Sequence, residues 1–169
     1  MGQPPRPAGN EGSLPADGRG SVTGMAAAGR QDEELEAALA DAVREGPAPV
    51  VSVYLFGSRA EGRAHAQSDV DVGILLPRDP PTTERERFDL RVQITAWLIG
   101  RLRRGDVDVV ILNDVPPQSG RRIVTTGRRV LCDDAAADHA LVRDVQLRAA
   151  DLEPFLRRTR RVKLAATAR

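Results

Sequence analysis

Two aspartates one residue apart, Asp69 and Asp71, follow the pair Gly57 and Ser58 after ten intervening positions in "FGSRAEGRAHAQSDVDVGILL", residues 56–76. In a β-strand, residues two apart face the same side, so the two carboxylates point together. Like charges that close raise one another's pKa unless a divalent cation lies between them. Hard oxygen ligands of this kind suit Mg²⁺ shared with substrate phosphates. Gly57 permits a tight turn against a ligand, and Ser58 brings a hydroxyl to the start of a helix whose free N–H groups attract an anion. A third acid on a neighbouring strand would complete the set. "DVDVV" at 106–110 supplies Asp108 in position to point with the first two, with Asp106 as its rival one pleat period nearer the strand end.

Each fragment alone is ordinary, since "DVD" is commonly a solvated strand edge and "GSR" a turn. Four fixed residues at this spacing arise by chance about once in 10³ chains of this length. The segment also grazes the phosphate-loop pattern, because Gly57 and Gly62 have its G-x-x-x-x-G spacing. That reading fails at the next two positions, where Arg63 replaces the lysine and Ala64 the metal-binding hydroxyl.

The elements that must position these residues are legible from periodicity. Residues 1–30 are dense in Gly and Pro and read as a disordered leader. In "QDEELEAALADAVR", residues 31–44, Leu35, Ala38, Leu39 and Val43 recur at helical spacing. "VVSVYLF" (50–56) is a continuous apolar run that suits a strand buried on both faces. A short helix is expected within 58–64, a second strand over 70–76, and a helix over 82–105 with a stripe of Phe88, Val92, Ile94, Leu98 and Leu102. A third strand follows at 106–113, a short helix at 118–127, a strand or extended piece at 128–134, and a basic helix over 137–165 that Pro154 should kink or break. The predicted order is α-β-α-β-α-β-α-β-α.

The chain has 169 residues, 41% of them hydrophobic, enough for one domain with a real core. Its formal charge of +1 offers no overall field for nucleic acid or an anionic membrane, so local sites must carry the function. Lys163 is the only lysine, and the arginine excess reads as compositional bias. Cys132 stands alone, which excludes an intramolecular disulfide and fits a reducing cytoplasm. No stretch approaches the roughly 18 apolar residues of a membrane span. Aromatics make up 3%, and Tyr54, Phe56, Phe88 and Trp97 sit in core-like patterns, which leaves no stacking platform for bases and no expected nucleic-acid contact.

"GSRAEGRAHAQSDVDVGILL" resembles the GSx10DxD signature of the DNA polymerase β-like nucleotidyltransferase superfamily, and in particular its minimal MNT-type members, the MntA-like antitoxins. The likeness runs from about Gln31 to Asp134 and includes "VDVVILNDVPP" and "RRIVTTGRRVL". It implies an α/β (α+β) fold with a mixed central sheet flanked by helices, a nucleotidyltransferase domain over 31–134, and a C-terminal helical segment over 135–169 that packs on the domain or on a partner. By the same resemblance Gly57, Ser58 and Ser68 contact the nucleotide, and Asp69, Asp71 and Asp108 hold two Mg²⁺ ions and do the catalysis. Arg59 and Arg63 stand near the phosphate end, placed to offset triphosphate charge. The implied activity is transfer of AMP from ATP to a hydroxyl side chain, a tyrosine first, of a cognate HEPN-type RNase toxin. Two alternatives stand beside it: a stand-alone transferase for a small-molecule hydroxyl, as in aminoglycoside modification, and an antitoxin that acts by binding only.

Overall fold

The computed structural model describes residues 20–63, 68–78 and 82–167, with the elements in the order the periodicity predicts. They are α1 (Gly20–Arg44), β1 (Ser52–Phe56), α2 (Gly57–Ala60), β2 (Val70–Leu75), α3 (Glu84–Leu102), β3 (Val107–Ile111), α4 (Pro117–Thr126), β4 (Arg128–Cys132) and α5 (Ala135–Thr167). The four strands form one mixed sheet in the order β3-β2-β1-β4. β1 runs antiparallel to both its neighbours, while β2 and β3 are parallel.

Alternation along the strands divides the core into two layers. Val53, Leu55, Val70, Val72, Ile74, Val107, Val109 and Ile111 face one side, where Leu39 and Val43 of α1 and Ile94 and Leu98 of α3 cover them. Tyr54 and Leu75 face the other, under Ile123 of α4 and Leu141 and Val145 of α5. Sheets covered on both faces call for strands without polar interruption, which explains the continuous apolar run at β1.

The second layer encloses a polar link. Asp138 of α5 is fully buried and accepts a hydrogen bond from the Tyr54 hydroxyl at 2.8 Å and from Arg129 at 2.6 Å. Burial alone would raise the Asp138 carboxyl, but the nearby hydroxyls of Ser52 and Tyr54 and the Arg129 guanidinium more than offset it, and its pKa lies below the ordinary 3.8. Burial pushes the Tyr54 hydroxyl up, reinforced by Asp138.

Three expectations need correction. Helix α1 begins at Gly20, so residues 20–30 of the expected leader are helical, and only residues 1–19 of it lie outside the described residues. Phe88 and Val92 are not core: they are 55% and 51% exposed, and the buried side of α3 carries Ile94 and Leu98. A stripe two residues wider than the packed face cannot be trimmed by periodicity alone, and Phe88 instead stacks under the Arg91 guanidinium at 5.1 Å. Of the kink or break expected at Pro154, the break does not occur, since helix α5 continues through it to Thr167.

A Tyr54→Phe variant is expected to lose about 1.5–3 kcal/mol of stability in urea unfolding, the worth of a hydrogen bond to a charged group. Because the folded pKa of Asp138 lies below its unfolded value, its contribution is fully present above about pH 4 and is lost as pH falls through the folded value. Asp138→Asn should flatten that acid limb of the stability profile.

Candidate active site

The sequence-predicted acids meet at one end of the sheet, on the face that α4 and α5 cover further along. Asp71 lies opposite Phe56 in the β1–β2 pair and opposite Asp108 in the β2–β3 pair. In-register partners of a parallel pair point the same way, so Asp71 and Asp108 share a face. Asp69 precedes β2 by one residue and falls on that face by the same alternation.

Gly57 closes the arrangement from the end of β1. Its φ is +72°, and a Cβ built there would stand 2.0 Å from Asp71 Oδ2 and 2.9 Å from Asp71 Cγ. A side chain here would have to displace that carboxylate. The glycine of the Gly-Ser pair is therefore demanded twice, by a left-handed backbone and by the carboxylate pressed against its α-carbon. The short helix expected within 58–64 is the single turn α2, which begins at Gly57.

Burial raises the Asp71 carboxyl above its ordinary value, and the charges of Asp108 and Asp69 raise it further. Among the described residues no cationic side chain or hydrogen-bond donor pairs with any of the three carboxylates. Among the described residues no group of three or more acidic, His or Cys side chains is placed to hold a metal ion by itself. The in-register pair Asp71 and Asp108 offers the one or two carboxylates by which Mg²⁺ is usually held, with substrate phosphates completing its shell.

Asp106 is committed elsewhere. Its carboxylate takes Arg104 through Nη2 at 2.5 Å and Nε at 3.0 Å, and that bond pulls its pKa below the ordinary value. Arg59 also departs from expectation. It is 7% exposed, and rather than facing the site it donates through Nη2 and Nε to the Ser68 carbonyl, at 2.8 and 3.2 Å, and pairs through Nη1 with Asp32 of α1 at 3.3 Å. Arg104 reaches the same carbonyl at 3.5 Å. Two guanidinium groups thus hold the residue immediately before Asp69. Arg63 is exposed and paired with Glu61. Residues 64–67 of the motif lie outside the described residues.

Sequence reasoning missed Asp32, Arg104, Glu61 and Arg122. Arg104 and Glu61 carry a local signal, each with an ionic partner two residues away, Asp106 and Arg63; Asp32 and Arg122 meet partners 27 and 61 positions distant.

The family described as "Polymerase beta, Nucleotidyltransferase" matches residues 41–136. No curated protein sequence matches. Among solved structures, the chain resembles a toxin–antitoxin crystallised with AMP-PNP, with 21% identity, 79% of this chain and 98% of that chain covered, and a TM-score of 0.56. A mutant MntA–HpeT toxin–antitoxin matches with 19% identity, the same coverages and a TM-score of 0.58. A Shewanella oneidensis complex of tri-AMPylated HEPN toxin with MNT antitoxin matches with 17% identity, covering 82% and 99%, and a TM-score of 0.52. At these identities the likeness establishes the fold.

The Gly57–Asp71 contact is open to a double-mutant cycle read by chemical denaturation. Gly57→Ala should destabilise the protein by more than the roughly 1–2 kcal/mol of a left-handed alanine. In an Asp71→Ala background, where the carboxylate is gone, the same change should cost only that amount. Equal costs in the two backgrounds would show that the carboxylate does not press on Gly57.

Proposed function

The chain belongs to the polymerase β nucleotidyltransferase family, and from that premise we propose that it is an MNT-type antitoxin that moves AMP from ATP onto a hydroxyl side chain of a HEPN-type RNase toxin. The observation that carries the reading is Gly57 packed against Asp71, with Asp108 beside it and no cation spent on either. The fold is shared with toxin–antitoxin complexes, one holding AMP-PNP and one a tri-AMPylated HEPN toxin, and this supports ATP as donor and a protein as acceptor. Asp69 and Asp108 are exposed, so a folded partner has room to approach with its own hydroxyl.

Asp69, Asp71 and Asp108 would hold Mg²⁺, two ions in the family's scheme, which when bound polarises the phosphates and offsets their charge. The residues divide the remaining work. Gly57 leaves its backbone open to the triphosphate, and the Ser58 hydroxyl and Ser68 orient it. The acceptor hydroxyl attacks the α-phosphorus in line, the bond from that phosphorus to the bridging oxygen breaks, and pyrophosphate leaves. The proton of the hydroxyl passes to Asp108. Arg59 and Arg104 act at one remove, by fixing the Ser68 carbonyl and hence the start of the Asp69–Asp71 segment. We assign catalysis to residues 31–134 and place the protein in the cytoplasm; among the described residues no helix is long and apolar enough to cross a membrane.

Asp71→Asn keeps shape and removes a negative ligand, and should slow transfer by at least about 10²-fold. Asp108→Asn should do the same, while Asp106→Asn, whose carboxylate is already paired with Arg104, should retain most activity. The reverse ranking would mean that Asp106 is the third acid.

The acceptor is tested by intact mass. Incubation with a HEPN-type RNase encoded beside this chain, ATP and Mg²⁺ should raise the toxin's mass by whole adenylate units and abolish its RNase activity, and Asp69→Asn should do neither. Neutralisation without a mass change, and equally by that variant, would replace transfer with inhibition by binding.

A further inference from the structure

Next to Gly57 and Ser58 stands a charged triplet that the reaction scheme above does not use. The Glu61 amide donates to the Gly57 carbonyl at 3.2 Å and the Arg63 amide to the Ser58 carbonyl at 2.9 Å, so both side chains start one turn from the Gly-Ser pair. Glu61 takes Arg63 through Oε2 and Arg122 of α4 through Oε1, the latter at 3.3 Å. The carboxylate is only 22% exposed, whereas the two arginines are 67% and 70% exposed.

Helix α4 is held over the face that carries Asp71. The neighbour of Arg122, Ile123, packs against Gly73, where a Cβ would lie 3.2 Å from Ile123 Cγ2, and Gly73 is two residues along β2 from Asp71. The adjacent Arg121 turns instead to Glu153 of α5. Of the two arginines, Arg122 is the one directed toward the Gly-Ser turn.

We propose that Arg122 is a nucleotide-binding residue and that Glu61 is a stand-in anion, holding Arg122 and Arg63 at the rim until a triphosphate takes its place. The inference rests on the nucleotidyltransferase reading of the site and adds a part to it. A triphosphate entering beside three carboxylates needs cations, and the buried Arg59 is spent on Ser68 and Asp32. Solvent-exposed ion pairs contribute little, so exchanging a carboxylate for a phosphate oxygen is inexpensive, and guanidinium forms strong two-pronged bonds to phosphate. A purely structural triplet would behave otherwise, because every member would then support the same state.

Calorimetric titration with AMP-PNP in Mg²⁺ separates the two, since it requires no acceptor. Arg122→Ala should bind about tenfold more weakly, with Arg122→Lys in between. Glu61→Gln, which removes the competitor, should bind about two- to threefold more tightly, and that gain should vanish in the Arg122→Ala background once Arg63 is also replaced by Ala. In transfer assays Arg122→Ala should raise KM for ATP with kcat little changed. Unchanged binding by Arg122→Ala, or weaker binding by Glu61→Gln, would overturn this inference and leave the nucleotidyltransferase reading intact. Failure of the wild-type protein to bind AMP-PNP would overturn both.

Discussion

The close approach of the Gly57 α-carbon to the Asp71 carboxylate is the constraint around which the rest of the structure is arranged. It requires β1 to end where it does, with Phe56 opposite Asp71, and the chain to turn at once through a positive φ. Any side chain at position 57 would push the carboxylate out of place. The antiparallel β1–β2 pairing and the turn into α2 bring the two groups together, and Asp108 comes alongside because β3 lies parallel to β2 in register.

Setting Asp71 beside Asp108 and within the field of Asp69 without a counter-charge among the described residues works against stability, and the fold supports the arrangement from behind. The arginines that a reader of the motif would send to the substrate are in part retained for this. Arg59 ties the Ser68 carbonyl to α1 through Asp32, Arg128 reaches Asp32 and Glu36 from β4, and Arg104 joins Ser68 to Asp106. The segment leading into Asp69 is thus fixed from three elements, and the carboxylates themselves are left unpaired. The other end of the sheet holds a cavity of about 350 Å³ lined by Leu75, Asn113, Arg87 and Arg148, remote from the acids.

Much of this was legible beforehand, for identifiable reasons. The nine elements and their order follow from local periodicity and breakers, and the Gly-Ser, ten residues, Asp-x-Asp spacing is a local pattern that strand alternation converts directly into a shared face. What periodicity does not encode is which partner a side chain finds across the fold. Arg59 looked like a phosphate ligand because its partner Asp32 is 27 residues away, and the buried link of Tyr54 to Asp138 spans 84. Phe88 and Val92 adjoin the packed stripe of α3, and the packing of α1 and β3 against Ile94 and Leu98 decides which side is covered. Sequence alone does not separate Asp108 from Asp106; what it does not encode is that the Arg104 side chain pairs with Asp106.

The central claim is that Asp69, Asp71 and Asp108 form one metal and nucleotide site beside Gly57, and diffraction from crystals grown with Mn²⁺ and AMP-PNP tests it most directly. Anomalous peaks between the Asp69, Asp71 and Asp108 carboxylates, with the triphosphate lying against the Gly57 backbone, are the expected result. Manganese bound elsewhere, or a nucleotide seated in the cavity at the opposite end of the sheet, would contradict the account.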